Sequence, residues 1–115
     1  MDKAIQTALS GIKAHLTMMD ATAHNIANVN TDNFHAYRVT LHEVNPNGVE
    51  AQIDRPNAPG GHRYVNEGDT AVEGSNVDLA GEMVSRIVSE SSIKASVELI
   101  KSQDEILGTV LDILR

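Results

Sequence analysis

Neither cysteine nor tryptophan occurs in this sequence. Without thiols there is no disulfide framework and no thiolate metal centre. Phe34, Tyr37 and Tyr64 are the only Phe or Tyr residues, so the apolar 41% comes mainly from Ala, Val, Ile, Leu and Met. Such a supply suits helix seams better than a thick β-sandwich core. Basic residues are scarce too: 9 Lys and Arg stand against 16 Asp and Glu, for a net charge of −7, and no segment concentrates them. Binding along a nucleic-acid backbone, or to an anionic membrane surface, is disfavoured accordingly. No run approaches the roughly 20 apolar residues that cross a bilayer. Asp2 and Lys3 lead into an amphipathic pattern rather than a signal-peptide core. A soluble chain made in the cytoplasm is therefore expected, able to leave only by a route without a cleaved signal. At 115 residues it is expected to form one domain with a modest core.

What the chain does have is helical periodicity at both ends. Ile5, Leu9, Ile12, Leu16, Met19, Ala23 and Ile26 fall at alternating steps of four and three, a heptad seam. Lys3, Gln6, Ser10, Lys13, Thr17, Asp20 and His24 form a polar flank beside it. A helix is predicted from Asp2, acting as N-cap, to Asn28, acting as a left-handed C-cap. Gly11 costs about 1 kcal/mol against Ala in a helix, and its lack of a side chain admits the close approach of a partner helix. Asn30, Thr31, Asp32 and Asn33 predict a polar turn, after which Phe34 anchors the next element.

The middle of the chain alternates instead. Tyr37, Val39 and Leu41 share one face of a predicted strand over 37–42. Asn45-Pro46-Asn47-Gly48 is a turn signal, and Val49, Ala51 and Ile53 alternate with Glu50, Gln52 and Asp54 in a second strand. Together they predict a β-hairpin. Residues 55–63, with two prolines and Gly60-Gly61, read as loop, and Tyr64-Val65 with Thr70-Ala71-Val72 predict a short third β piece.

Ser75 to Asp78 resembles a capping box, with Ser75 as cap and Asp78 reaching back, opening a helix of about 60 Å that ends at Leu114. Its early seam is Leu79, Met83 and Ile87; its later seam is Ile93, Val97, Ile100, Asp104, Leu107, Leu111 and Leu114. Leu99, Ile106, Val110 and Ile113 add a second stripe, leaving the last turns apolar on most sides. Glu82/Arg86, Glu90/Lys94 and Lys101/Glu105 are spaced for i,i+4 ion pairs. Between the seams, Ser89-Glu90-Ser91-Ser92 shifts the register, and poor helix formers there predict a bend or a local loss of packing.

Five histidines raise a metal or catalytic reading. His15 and His24 are nine residues apart, about half a revolution on a helix, and face different ways. His35 and His42 fall on opposite faces of an extended strand. No HExxH, no Cys–His set and no phosphate-cradling glycine loop is present. No catalytic, cofactor-binding or metal residue is therefore assigned, and no cofactor is expected.

The stretch Ala23-His24-Asn25-Ile26-Ala27-Asn28-Val29-Asn30-Thr31-Asp32-Asn33-Phe34 resembles the A-x-N-I-A-N-x-x-T-x-x-F/Y signature of bacterial flagellar rod and hook proteins. Ser75-Asn76-Val77-Asp78-Leu79-Ala80-Gly81-Glu82-Met83-Val84 resembles the segment opening that family's C-terminal helix. The motif positions are Ala23, Asn25, Ile26, Ala27, Asn28, Thr31, Phe34, Asn76, Val77, Asp78, Glu82 and Met83. The resemblance covers the first and last thirds of the chain, and the layout is similar to the small proximal-rod members. A Gln-Arg-Ala-aromatic sequence usual in the family near Ser89–Ser92 is missing here.

The expected architecture is mainly α. N- and C-terminal helices pair as an antiparallel helical hairpin or coiled coil, with a small β-hairpin insert. One domain contains three segments: 1–33 with the N-terminal helix and Asn-rich turn, 34–74 with the β-rich insert, and 75–115 with the long C-terminal helix. The resemblance implies a non-enzymatic structural subunit of the basal-body rod, exported by the flagellar type III apparatus into the periplasm-spanning rod. Its partners would be copies of itself, other rod or hook subunits and the export apparatus. Ile5, Leu9, Ile12, Leu16, Met19, Ile26, Val97, Ile100, Leu107, Val110, Leu111 and Leu114 are the candidate assembly interface. Two alternatives remain open at this point: a soluble dimeric coiled-coil adaptor outside any filament, and a small metal-dependent enzyme using scattered His, Asp and Glu.

Overall fold

The computed structural model describes residues 2–64 and 70–115. Helix α1 runs Asp2–Ala27 and helix α2 runs Leu79–Ile113. Between them lie β1 (Arg38–Glu43), β2 (Val49–Asp54), β3 (His62–Tyr64) and β4 (Ala71–Glu73). The molecule is rod-shaped, 83 × 24 × 13 Å. Among the described residues no helix is long and apolar enough to cross a membrane.

The two helices pair antiparallel, as expected. Gly11 of α1 faces Ser96 of α2, where an added Cβ would lie 3.7 Å from Ser96 Oγ, and Asn25 bonds to Glu82. The most shielded residues between them are not the large aliphatic ones. On α1 the shielded positions include Ala8, Gly11, Thr22 and Asn25. On α2 they include Glu82, Ser85, Ser89, Ser92 and Ser96, at alternating three- and four-residue steps, with Ile93 and Ile100 half-buried beside them. Ser89 is 0% exposed. Small side chains bring the two backbones close at Gly11, Ser89 and Ser96, with Met18 packed beside Glu82 and Ser85, so small residues predominate along the centre of the seam and larger ones along its margin.

This corrects the expectation for Ser89-Glu90-Ser91-Ser92. Helix α2 is continuous through the segment, and Ser89 is its one buried residue. The apparent register slip marks the place where the serine stripe turns toward α1. Three further local expectations are corrected. Asn28 does not adopt a left-handed cap; its amide N–H bonds the carbonyls of His24 and Asn25, and the left-handed residue is Asn33, at φ 57°. Asp78, not Ser75, is the N-cap of α2, without a side-chain cap bond, while Ser75 Oγ accepts the N–H of Val77. Asp2 sits inside the first turn of α1, where its charge still suits the helix dipole.

The hairpin forms with the predicted alternation. β1 and β2 pair antiparallel with Val39 opposite Ile53 and Leu41 opposite Ala51. Its turn, Asn45 to Gly48, carries Gly48 at φ 140°, a conformation only glycine takes easily. The same glycine approaches α1 so closely that a Cβ would stand 3.1 Å from Ser10 Oγ, which in turn accepts the Val49 N–H. β2 thus lies along the Ser10, Ala14, Thr17 and Ala21 side of α1, and Ala14 and Ala21 are buried beneath it. The third β piece is a two-stranded sheet, β3 with β4, pairing His62 with Glu73 and Tyr64 with Ala71. Val65, predicted to join it, lies outside the described residues.

Candidate assembly surface

The signature motifs of the two ends meet at one joint. Asn25 is 1% exposed, on the last turn of α1. Its Nδ2 donates to the carbonyl of Tyr37 at 2.8 Å and to Glu82 Oε1 at 2.8 Å, while its Oδ1 accepts the Tyr37 N–H at 2.8 Å. One amide therefore imitates a β-bridge to the backbone of Tyr37 and holds the first turn of α2. Asn76 works from the other end: its Oδ1 accepts the Ala36 N–H at 2.6 Å, its Nδ2 donates to Ala58, and its backbone N–H bonds Phe34. Asn28 and Thr31 close the turn on each other, Thr31 Oγ1 donating to Asn28 Oδ1. Glu82 thus turns to Asn25 and forms no ion pair with Arg86 among the described residues. Lys94 pairs with Glu90 at 2.9 Å as expected, whereas Lys101 lies 3.9 Å from Glu98 instead of pairing with Glu105.

Phe34 is buried here as the anchor. Its ring stands 5.7 Å from His24 and 6.3 Å from Tyr37, and His24 meets Tyr37 edge-on at 5.2 Å. The Arg55 guanidinium covers Phe34 at 5.4 Å and Tyr37 at 5.0 Å, a cation–π cap that ties the loop after β2 to the joint. His24, read from sequence as part of a polar flank, is therefore a packing member of this cluster.

Glu73 fastens the second sheet. Its carboxylate accepts the Gly60 N–H at 3.0 Å and lies 3.2 Å from His35 Nε2. The Gly60 bond, helped by His35, holds its carboxyl below the ordinary glutamate value of 4.5. A depressed folded value means that its contribution is present above the unfolded value and is lost as pH falls through the folded one. The Gly60 amide resonance is expected to titrate with a midpoint below 4.5, and Glu73→Gln should abolish that titration. A midpoint at or above the ordinary value would remove the tie.

Many of the large aliphatic side chains are exposed, and others lie half-buried at the margin of the helix pair. Leu9 and Leu16 are 45% and 48% exposed on α1, while Ile5, Ile12, Met19 and Ile26 are half-buried along its border with α2. On α2, Val97, Leu107, Val110 and Leu111 are exposed, Ile100 is half-buried, and Leu114 beyond its end is 77% exposed. Helical spacing sorts the α2 residues into two strips on either side of the serine stripe. Leu79, Met83, Ile93, Val97, Ile100 and Leu111 form one. It continues the aliphatic side of α1, since Ile5 shares a hollow with Ile100 and Leu107 and Ile26 shares another with Arg86. Val84, Val88, Leu99, Ile106 and Ile113 form the other. Val84 and Val88 escaped the sequence reading, because a single-seam template has no place for them.

Comparison with known proteins matches both ends. Residues 5–35 match the family described as "Flagella basal body rod protein", and residues 69–113 match "Flagellar basal body rod FlgEFG protein C-terminal". Together the matches cover about two thirds of the chain. The chain is also similar to the flagellar hook protein FlgE of Escherichia coli K12 and of Salmonella typhimurium LT2, each 42% identical over 43 residues. That stretch is 37% of this chain and 11% of each hook protein. With a rod-family match at each end and Asn25, Phe34, Asn76 and Glu82 converging between them, the chain belongs to the flagellar basal-body rod and hook family of structural proteins.

Proposed function

We propose that this chain is a non-enzymatic axial subunit of the flagellar rod, similar to the small proximal-rod type. It is exported through the flagellar type III apparatus and builds the periplasm-spanning rod with copies of itself and related rod or hook subunits. The observation that carries this reading is the exposed apolar surface of the helix pair: small residues predominate along the centre of the seam, and strips of large, mostly exposed aliphatic residues flank it on either side. Large exposed apolar surfaces mark interfaces. Two distinct strips favour head-to-tail contacts that continue from subunit to subunit, whereas a closed two-fold dimer needs one self-complementary patch. This supports an axial subunit over a dimeric adaptor.

Leu16→Asp and Leu111→Asp should each abolish concentration-dependent assembly in sedimentation while leaving the circular dichroism of the dilute chain nearly unchanged. A carboxylate at an exposed position costs the monomer little, but it is expensive inside an apolar contact. Assembly that survives both substitutions, or that stops at a dimer in the unsubstituted chain, would refute the axial reading.

A further inference from the structure

We infer that the Asn25–Glu82 hydrogen bond sets the axial register of the helix pair, making Glu82 a positioning residue for the outward surface. The serine stripe of α2 holds the helices close but offers α1 few distinct knobs and holes. Serines recurring at Ser85, Ser89, Ser92 and Ser96 present nearly the same profile to α1 after a slide of one or two turns. A single buried polar contact is the known way to fix register in such a pairing.

Asn25 is suited to that role. It is nearly inaccessible, and its other two bonds, both to Tyr37, fix the orientation of its amide. Only one N–H remains, and it points at Glu82. The contact agrees with the far end of the seam, since equal numbers of residues separate Gly11 from Asn25 and Glu82 from Ser96. Sliding α2 by one turn would carry Glu82 about 6 Å from the amide and would misalign the Ile5–Ile26 side of α1 against Met83, Val97 and Ile100. The consequence for assembly rests on the function proposed above; the register itself does not.

The absence of native cysteine permits a direct test. In the full chain, Gly11→Cys is combined in turn with Ser96→Cys, with Ser92→Cys about one turn away, and with Gln103→Cys about two turns away. Each pair is oxidised under mild conditions. With Glu82 present, the Ser96 pair should cross-link and the other two should not. Glu82→Gln keeps an oxygen that accepts from Asn25 and should preserve that pattern. Glu82→Met keeps the bulk without the acceptor and should raise cross-linking at the shifted pairs about tenfold or more, as expected on losing a hydrogen bond to a charged group. Cross-linking confined to the Ser96 pair in Glu82→Met would overturn the inference. So would loss of helix content in that variant, because pairing itself rather than register would then depend on Glu82. Loss of assembly with an unshifted pattern would leave the proposed function intact while refuting the role of Glu82.

Discussion

Asn25→Ala should lower the stability of the folded chain by about 2–4 kcal/mol, the cost of stranding partly buried hydrogen-bonding groups. Truncation removes three bonds at once and leaves both the N–H and the carbonyl of Tyr37 without their partner, beside a carboxylate. Water can reach part of the joint and recover some of the loss, which keeps the figure below the sum of three full penalties. Asn25→Asp should be no milder. It has the same shape, but it exchanges the Nδ2 donor for an oxygen facing Tyr37 O and Glu82 Oε1, so attraction becomes repulsion at 2.8 Å. Thermal melting by circular dichroism reads both, and for a chain of this size the midpoint should fall by roughly 10 °C. A loss under about 1 kcal/mol in both variants would mean that solvent, not Asn25, satisfies the Tyr37 backbone.

Both helices, the hairpin and its turn were legible because each rests on local chemistry: a 3.6-residue period, strict alternation, and a Pro-Asn-Gly turn. The joint was legible only as a motif. The polar turn read at Thr31 holds, but nothing local pointed to the bonds of Asn25 and Asn76, whose partners lie far along the chain. Long-range side-chain bonds leave no periodic trace. The internal seam was missed for a different reason. Searching for apolar heptads finds the large aliphatic residues, which here are exposed or half-buried at the margin of the pair, while the pairing stripe of serines scores as polar. In the folded chain the apolar heptads flank the contact that holds the two helices together, which is why the proposed function assigns them to assembly.

That difference gives opposite predictions for one position. If the Ser89–Ser92 segment were soft and exposed, Ser89→Leu would strengthen α2, since Leu is the better helix former by a few tenths of a kcal/mol. In the seam, Ser89 is 0% exposed, and a leucine has no space without forcing the helices apart. Overpacking of this kind costs about 1–3 kcal/mol, several times the propensity gain, so Ser89→Leu should destabilise. Ser89→Ala should go the other way. Its Oγ has no hydrogen-bond partner among the described residues, and removing a buried unpaired hydroxyl while adding helix propensity should leave stability unchanged or raise it. Denaturant melts of the two variants decide between the readings. Destabilisation by Leu with none by Ala identifies a packed seam of small residues, whereas stabilisation by both would return the segment to the solvent-exposed side of α2.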